Sequence, residues 1–158
     1  MLLAARDRPS TRASAYAPVA ASALCTTIEI AYARTGATAS PRYFQLRDAG
    51  KGLVVSGWFE SESSWQGFGK FVVGELQALK KAGQLPTKAP EVVAAGSWQA
   101  FSYEVGLPGG ASANVRAELI RAGTWIDLHI SVSGSGPPGE LREQAVQFLK
   151  GIMVTEKP

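Results

Sequence analysis

The sequence holds a single cysteine, Cys25, and a single histidine, His129. One cysteine excludes an intramolecular disulfide and a cysteine-built metal cluster; this suits a reducing cytosol and does not exclude the periplasm. One histidine means that every imidazole-based catalytic or metal hypothesis must pass through His129. No apolar run approaches the roughly 18 residues of a membrane-spanning helix. An excess of one charge is also missing. Of the formal +3, residues 1–40 supply +2, from Arg6, Arg8, Arg12 and Arg34 against Asp7 and Glu29, which leaves +1 for the rest. The body therefore lacks the basic surplus that phosphate backbones require, and nucleic acid is not an expected partner. No Gly-x-Ser-x-Gly elbow presents a nucleophile, and Gly67–Lys70 lacks the full phosphate-loop spacing and lies inside a helical pattern. Cys25 stands in a poorly patterned stretch that gives a thiol nothing to activate it.

What is present is enough for one soluble globular domain. Of 158 residues 46% are hydrophobic and 18% charged, sufficient for a core and too apolar for a disordered chain. Residues 1–40 form a leader rich in Ala, Ser, Thr and Arg without a sustained period, except that Thr27–Ala33 alternates as a half-buried strand. Met1–Ala5 is apolar and the arginines follow, which reverses signal-peptide order and suits the cytoplasm; Leu24 departs from a lipoprotein attachment site at Cys25. Residues 41–158 carry the patterned domain.

The clearest local structure is Asn114–Val132. Folded at Ala122-Gly123 with Arg121 facing Thr124, it pairs Val115 with Ile130, Ala117 with Leu128 and Leu119 with Ile126 on one face. The other face pairs Arg116 with His129, Glu118 with Asp127 and Ile120 with Trp125. A second hairpin is expected across Tyr43–Phe59, with an Ala49-Gly50 turn, Asp48 opposite Lys51, Leu46 opposite Leu53 and Phe44 opposite Val55. Glu62–Gly83 predicts a helix, capped by Ser63 or Ser64, with an apolar stripe of Trp65, Phe68, Val72, Leu76 and Leu79 beside Phe71. Gly67, Gly69 and Gly74 within it imply close packing on the sheet. Ser97–Val105 predicts a strand, Gly106–Ser112 a loop, and Glu140–Met153 a last helix burying Leu141, Ala145, Phe148, Leu149 and Ile152.

The fold class expected is α+β, a mainly antiparallel sheet of two hairpins and single strands packed with helices. The 41–59 hairpin, the helix from Trp65, the GSWQAFSYEV strand, the 113–132 hairpin and the terminal helix together resemble the PsbP/DcrB-like α/β/α sandwich superfamily over about residues 41–158. That resemblance implies a small accessory or binding protein of the bacterial cell envelope or thylakoid lumen, without catalytic residues to carry over.

Two residue sets compete for function. His129, Asp127, Glu118 and Arg116 share one sheet face, where a carboxylate-oriented imidazole would act as a base, or one His and two carboxylates would hold a divalent metal; the structural alternative is a face whose charges offset one another. Trp58, Trp98, Tyr103 and Trp125, with Trp65, would line a groove for a small apolar ligand or a protein segment, or form a second core under a helix. The reading is a non-catalytic binding or accessory module needing no cofactor and no metal, monomer or homodimer. The alternatives are a hydrolase-like or metal-dependent site at His129 and a structural homodimer.

Overall fold

The computed structural model describes residues 28–33 and 42–157, so the leader, including Cys25, lies outside the described residues apart from one strand. Strands β1 (Ile28–Ala33), β2 (Arg42–Asp48) and β3 (Leu53–Ser61) precede helix α1 (Phe68–Lys81). Strands β4 (Glu91–Ala95), β5 (Trp98–Leu107), β6 (Gly110–Arg121) and β7 (Thr124–Gly134) follow, then helix α2 (Pro138–Lys150) and strand β8 (Ile152–Lys157). Six strands form an antiparallel sheet in the order β2-β3-β7-β6-β5-β4, and β1 pairs in parallel with β8. With two helices against this sheet, the class is α+β. No helix among the described residues is long and apolar enough to cross a membrane.

The β6–β7 hairpin has the expected register from Val115↔Ile130 to Arg121↔Thr124. Ala122 and Gly123 both take positive φ, 49° and 76°, as a two-residue turn matched to strand twist requires. The β2–β3 hairpin differs from expectation by two residues: Asp48 lies opposite Leu53, Leu46 opposite Val55 and Phe44 opposite Gly57. Ala49–Lys51 form a 3₁₀ turn, the Asp48 carboxylate accepts from Gly50 N–H, and Gly52 rather than Gly50 takes the left-handed conformation. A shift of two keeps every side chain on its face, so the apolar pattern alone does not distinguish the two registers.

The central strands β5, β6 and β7 present alternate residues to two different environments. Phe44, Val55, Ala100, Val115, Leu128 and Ile130 point to one side, where α2 adds Leu141, Ala145, Val146 and Leu149, and β8 adds Ile152 and Val154. Phe101 and Tyr103 belong to the alternate set and meet Phe68, Phe71, Val72, Leu76 and Leu79 of α1. The Phe68 and Phe71 rings stand edge-on to Phe101, at 6.2 and 6.0 Å between centroids.

Four further expectations are corrected. Helix α1 begins at Phe68 rather than Glu62: Glu62–Ser64 is a separate 3₁₀ turn capped by Ser61, Trp65 is extended, and Gly67 (φ 100°) supplies the backbone turn into the helix. Gly69 and Gly74 face open space, so close helix–sheet approach is not their reason. Residues 106–112 are not an open loop, because β5 and β6 run on to a tight turn at Pro108-Gly109 with Leu107 opposite Gly110. Beyond Lys150 the chain becomes β8 rather than more helix, and Glu91–Ala95 is an additional edge strand on β5.

Candidate functional site

The α1-side face of the sheet is polar along its centre because β6 and β7 place polar residues there at every second position. Cross-strand pairing sets one row of Gln99, Glu118, Asp127, Trp58 and Tyr43 across five strands. The next row runs Phe101, Arg116, His129, Ser56 and Gln45. Helix α1 covers the β5 side of this face.

Arg116 is the hub. Its Nη2 lies 3.1 Å from both Oδ1 and Oδ2 of Asp127, its Nε lies 3.5 Å from Glu75 Oε2, and its guanidinium sits 5.1 Å from the centre of the Phe71 ring. Glu75 in turn accepts a 2.8 Å hydrogen bond from the Tyr103 hydroxyl. Burial pushes the Asp127 carboxyl upward more than Arg116 pulls it down, and burial together with the Glu75 charge raises the Tyr103 phenol strongly.

His129 belongs to a neutral chain instead. Its Nε2 lies 2.9 Å from Asn114 Oδ1, while Asn114 Nδ2 donates to Ser112 O and Oγ. With the amide so oriented, Nε2 carries the proton and donates it to Asn114. Ser112 Oγ continues the chain to Ser131 and Ser133. Burial, reinforced by the Arg116 charge, lowers the His129 pKa to about 4, so the ring is neutral at pH 7 and too weakly basic for a matched general base.

Glu118 stands apart. It is 2% exposed, and its Oε2 accepts a 3.1 Å hydrogen bond from the Trp65 indole. The Trp125 indole N–H also hydrogen-bonds this carboxylate and, like Trp65, favours its charged form, although the contact is loose enough that Trp125 Nε1 and Glu118 Oε1 have no partner at strict hydrogen-bond distance and angle. Burial raises the Glu118 pKa, and Asp127 opposite it adds to the rise. Trp65, Ser97, Gln99, Glu118, Leu119 and Ile120 line a half-open cleft of ≈ 130 Å³ beside this carboxylate.

The four polar candidates thus divide. Arg116 and Asp127 pair, His129 bonds Asn114, and Glu118 bonds Trp65. Among the described residues no group of three or more His, Cys, Asp or Glu is arranged to hold a metal ion. The aromatic candidates divide as well. Trp98 (7% exposed) belongs to the main core rather than lying off it, Tyr103 (3%) is buried under α1, and Trp125 is half-buried. Trp58 (41%) and Tyr43 (52%) are exposed and lie against each other, tilted by 49° with centroids 4.8 Å apart.

Sequence reasoning missed Glu75, Asn114 and the bond from Trp65 to Glu118. A signal existed for Glu75: it lies at helical spacing with Phe71, Val72 and Leu79, and a carboxylate in an apolar stripe needs a buried partner. Compared with known proteins, the chain matches no family model, no curated protein and no solved structure.

Proposed function

We propose that this protein is a small binding or accessory module without catalysis, whose working surface is the aromatic part of the α1-side face around Trp58 and Trp125. The observation that carries the reading is the exposed Tyr43–Trp58 pair on strands β2 and β3, whose rings lie in contact at a tilt of 49°. Large rings held against each other while open to solvent offer contact area at little ordering cost, which favours binding. The state of the polar cluster supports the same reading. His129 is neutral with its Nε2–H committed to Asn114, and Arg116 is held between Asp127 and Glu75. An α/β/α sandwich of the PsbP/DcrB-like kind is part of this proposal, supported by the packing of α2 and α1 against alternate side-chain sets of the same strands.

The test is a fragment screen followed through the indole N–H signals of the four tryptophans by NMR. Fragments that shift Trp58 and Trp125, and weaken at least tenfold in Trp58→Ala, support the module. A screen that instead finds turnover of simple esters or phosphate esters, abolished by His129→Ala, overturns it.

A further inference from the structure

We infer that the protein forms a twofold homodimer through the outer edge of β2, which joins two six-stranded sheets into one. The inference goes beyond the ligand-binding reading, because it concerns the edge of β2 rather than the aromatic face. Strand β2 ends the sheet, and among the described residues only β3 pairs with it. An edge strand presents unpaired backbone N–H and C=O groups that template a further strand unless a proline, a bulge or inward-pointing charges prevent it. The seven residues Arg42–Asp48 contain no proline, and their register with β3 runs without a bulge.

A second copy is selected by the sequence of β2 read against itself. When two copies pair antiparallel about a twofold perpendicular to the sheet, directly opposed residues share a face and each unlike pair occurs twice. With Gln45 on the axis, Phe44 faces Leu46, Tyr43 faces Arg47 and Arg42 faces Asp48. Phe44 and Leu46 lie on the core side, so the apolar layer continues from one copy into the next. Tyr43 and Arg47 are exposed on the other side, where a guanidinium set against the phenol ring gains a cation–π contact. Opposite charges meet at the two ends of the pairing. Asp48 has an oxygen to spare there: Oδ1 accepts from Gly50 N–H, while Oδ2 is held only by exposed Lys51 at 4.0 Å. Moving the axis by one residue removes this match. An axis at Phe44 sets Arg42 against Leu46, and an axis at Leu46 sets Asp48 against Phe44. The opposite edge of the sheet, β4, lacks such a match in any case. Its one charged residue, Glu91, is paired with Arg142 of α2, and an axis at Val93 sets Glu91 against Ala95. The β2 dimer also brings both Tyr43–Trp58 pairs to one side of the joined sheet, which doubles the aromatic surface.

The experiment is sedimentation equilibrium of the full chain at low ionic strength, with charge placed on the twofold. Gln45 is exposed, so its replacement leaves the core intact, and in the dimer it faces its own copy. Expected is a wild-type dimer that Gln45→Lys weakens by about fivefold or more, since two like charges are then directly opposed. An equimolar mixture of Gln45→Lys and Gln45→Glu should recover the dimer as a mixed pair, which also shows that both variants are folded. A wild type that stays monomeric up to about 1 mM overturns the inference. So does a dimer that Gln45→Lys leaves unchanged, or a mixture no tighter than Gln45→Lys alone. Trp58→Ala separates this interface from the ligand reading: it should keep the dimer and lose fragment binding, whereas Gln45→Lys should lose the dimer and keep fragment binding. A dimer lost in Trp58→Ala and kept in Gln45→Lys places the contact on the aromatic face and overturns the β2 edge.

Discussion

Replacing His129 with Gln removes one titration and keeps a side-chain N–H to donate to Asn114. The histidine falls from an ordinary 6.5 to about 4 on folding, by burial first and by Arg116 second, with Glu75 acting weakly the other way. Between those values the unfolded ring binds a proton that the folded ring refuses. Its contribution to stability is thus complete above pH 6.5 and is lost as the pH falls through 4. The fall from 6.5 to about 4, at 1.36 kcal/mol for each tenfold change in proton affinity, sets a ceiling of about 3 kcal/mol, reduced by whatever solvent reaches this partly buried ring. Glu118 and Asp127 act in the opposite sense. Their folded pKa values are raised, so their stabilisation is present at low pH and is lost as the pH rises through the folded values. The difference between wild type and His129→Gln cancels those terms to first order. Urea unfolding of both proteins at pH 4, 5, 6, 7 and 8 measures it. The wild type should lose stability relative to the variant by about 2 kcal/mol between pH 7 and 4, with no change between 7 and 8. A difference that stays level from pH 4 to 7 would refute the buried, neutral histidine and the Asn114 bond assigned to it.

Three further outcomes follow from the geometry. Ala122→Asn should raise stability by about 0.5–1 kcal/mol in denaturant titration, because Asn tolerates the positive φ that strains Ala122 in the β6–β7 turn; an unchanged midpoint would count against that strain. Gly57→Ala should destabilise by about 2 kcal/mol or more in thermal unfolding, since its Cβ would fall 2.5 Å from Asp127 O and 2.7 Å from the Phe44 ring; a tolerated substitution would show that β3 and Phe44 can separate. Arg116→Ala should cost about 3–5 kcal/mol near neutral pH and less under acid conditions, because buried Asp127 loses its counter-ion and protonation relieves it; a loss independent of pH would mean that packing on Phe71 dominates.

The β6–β7 hairpin was legible residue by residue, because two-residue periodicity, apolar pairing and an Ala-Gly turn are all local. The main apolar faces of α1 and α2 were legible for the same reason, through helical spacing. Where two arrangements satisfy the same local rule, the sequence by itself did not choose. The β2–β3 register preserves its faces under a shift of two, and the choice came from the Asp48 cap and Gly52, whose carbonyl accepts from Ser133 of the neighbouring strand. Likewise β8 finds its partner in β1, more than a hundred residues away, a pairing that no local pattern specifies. The polar candidates show the same division. Alternation placed Arg116, Glu118, Asp127 and His129 on one face, but which of them meet depended on a carboxylate delivered by α1 and an indole delivered by the connector before it. Glu75 joins Asp127 on Arg116, Trp65 takes Glu118, and His129 is left to Asn114. Side-chain direction is a local consequence of the backbone period. The selection among several possible partners is decided by what the rest of the chain packs above them.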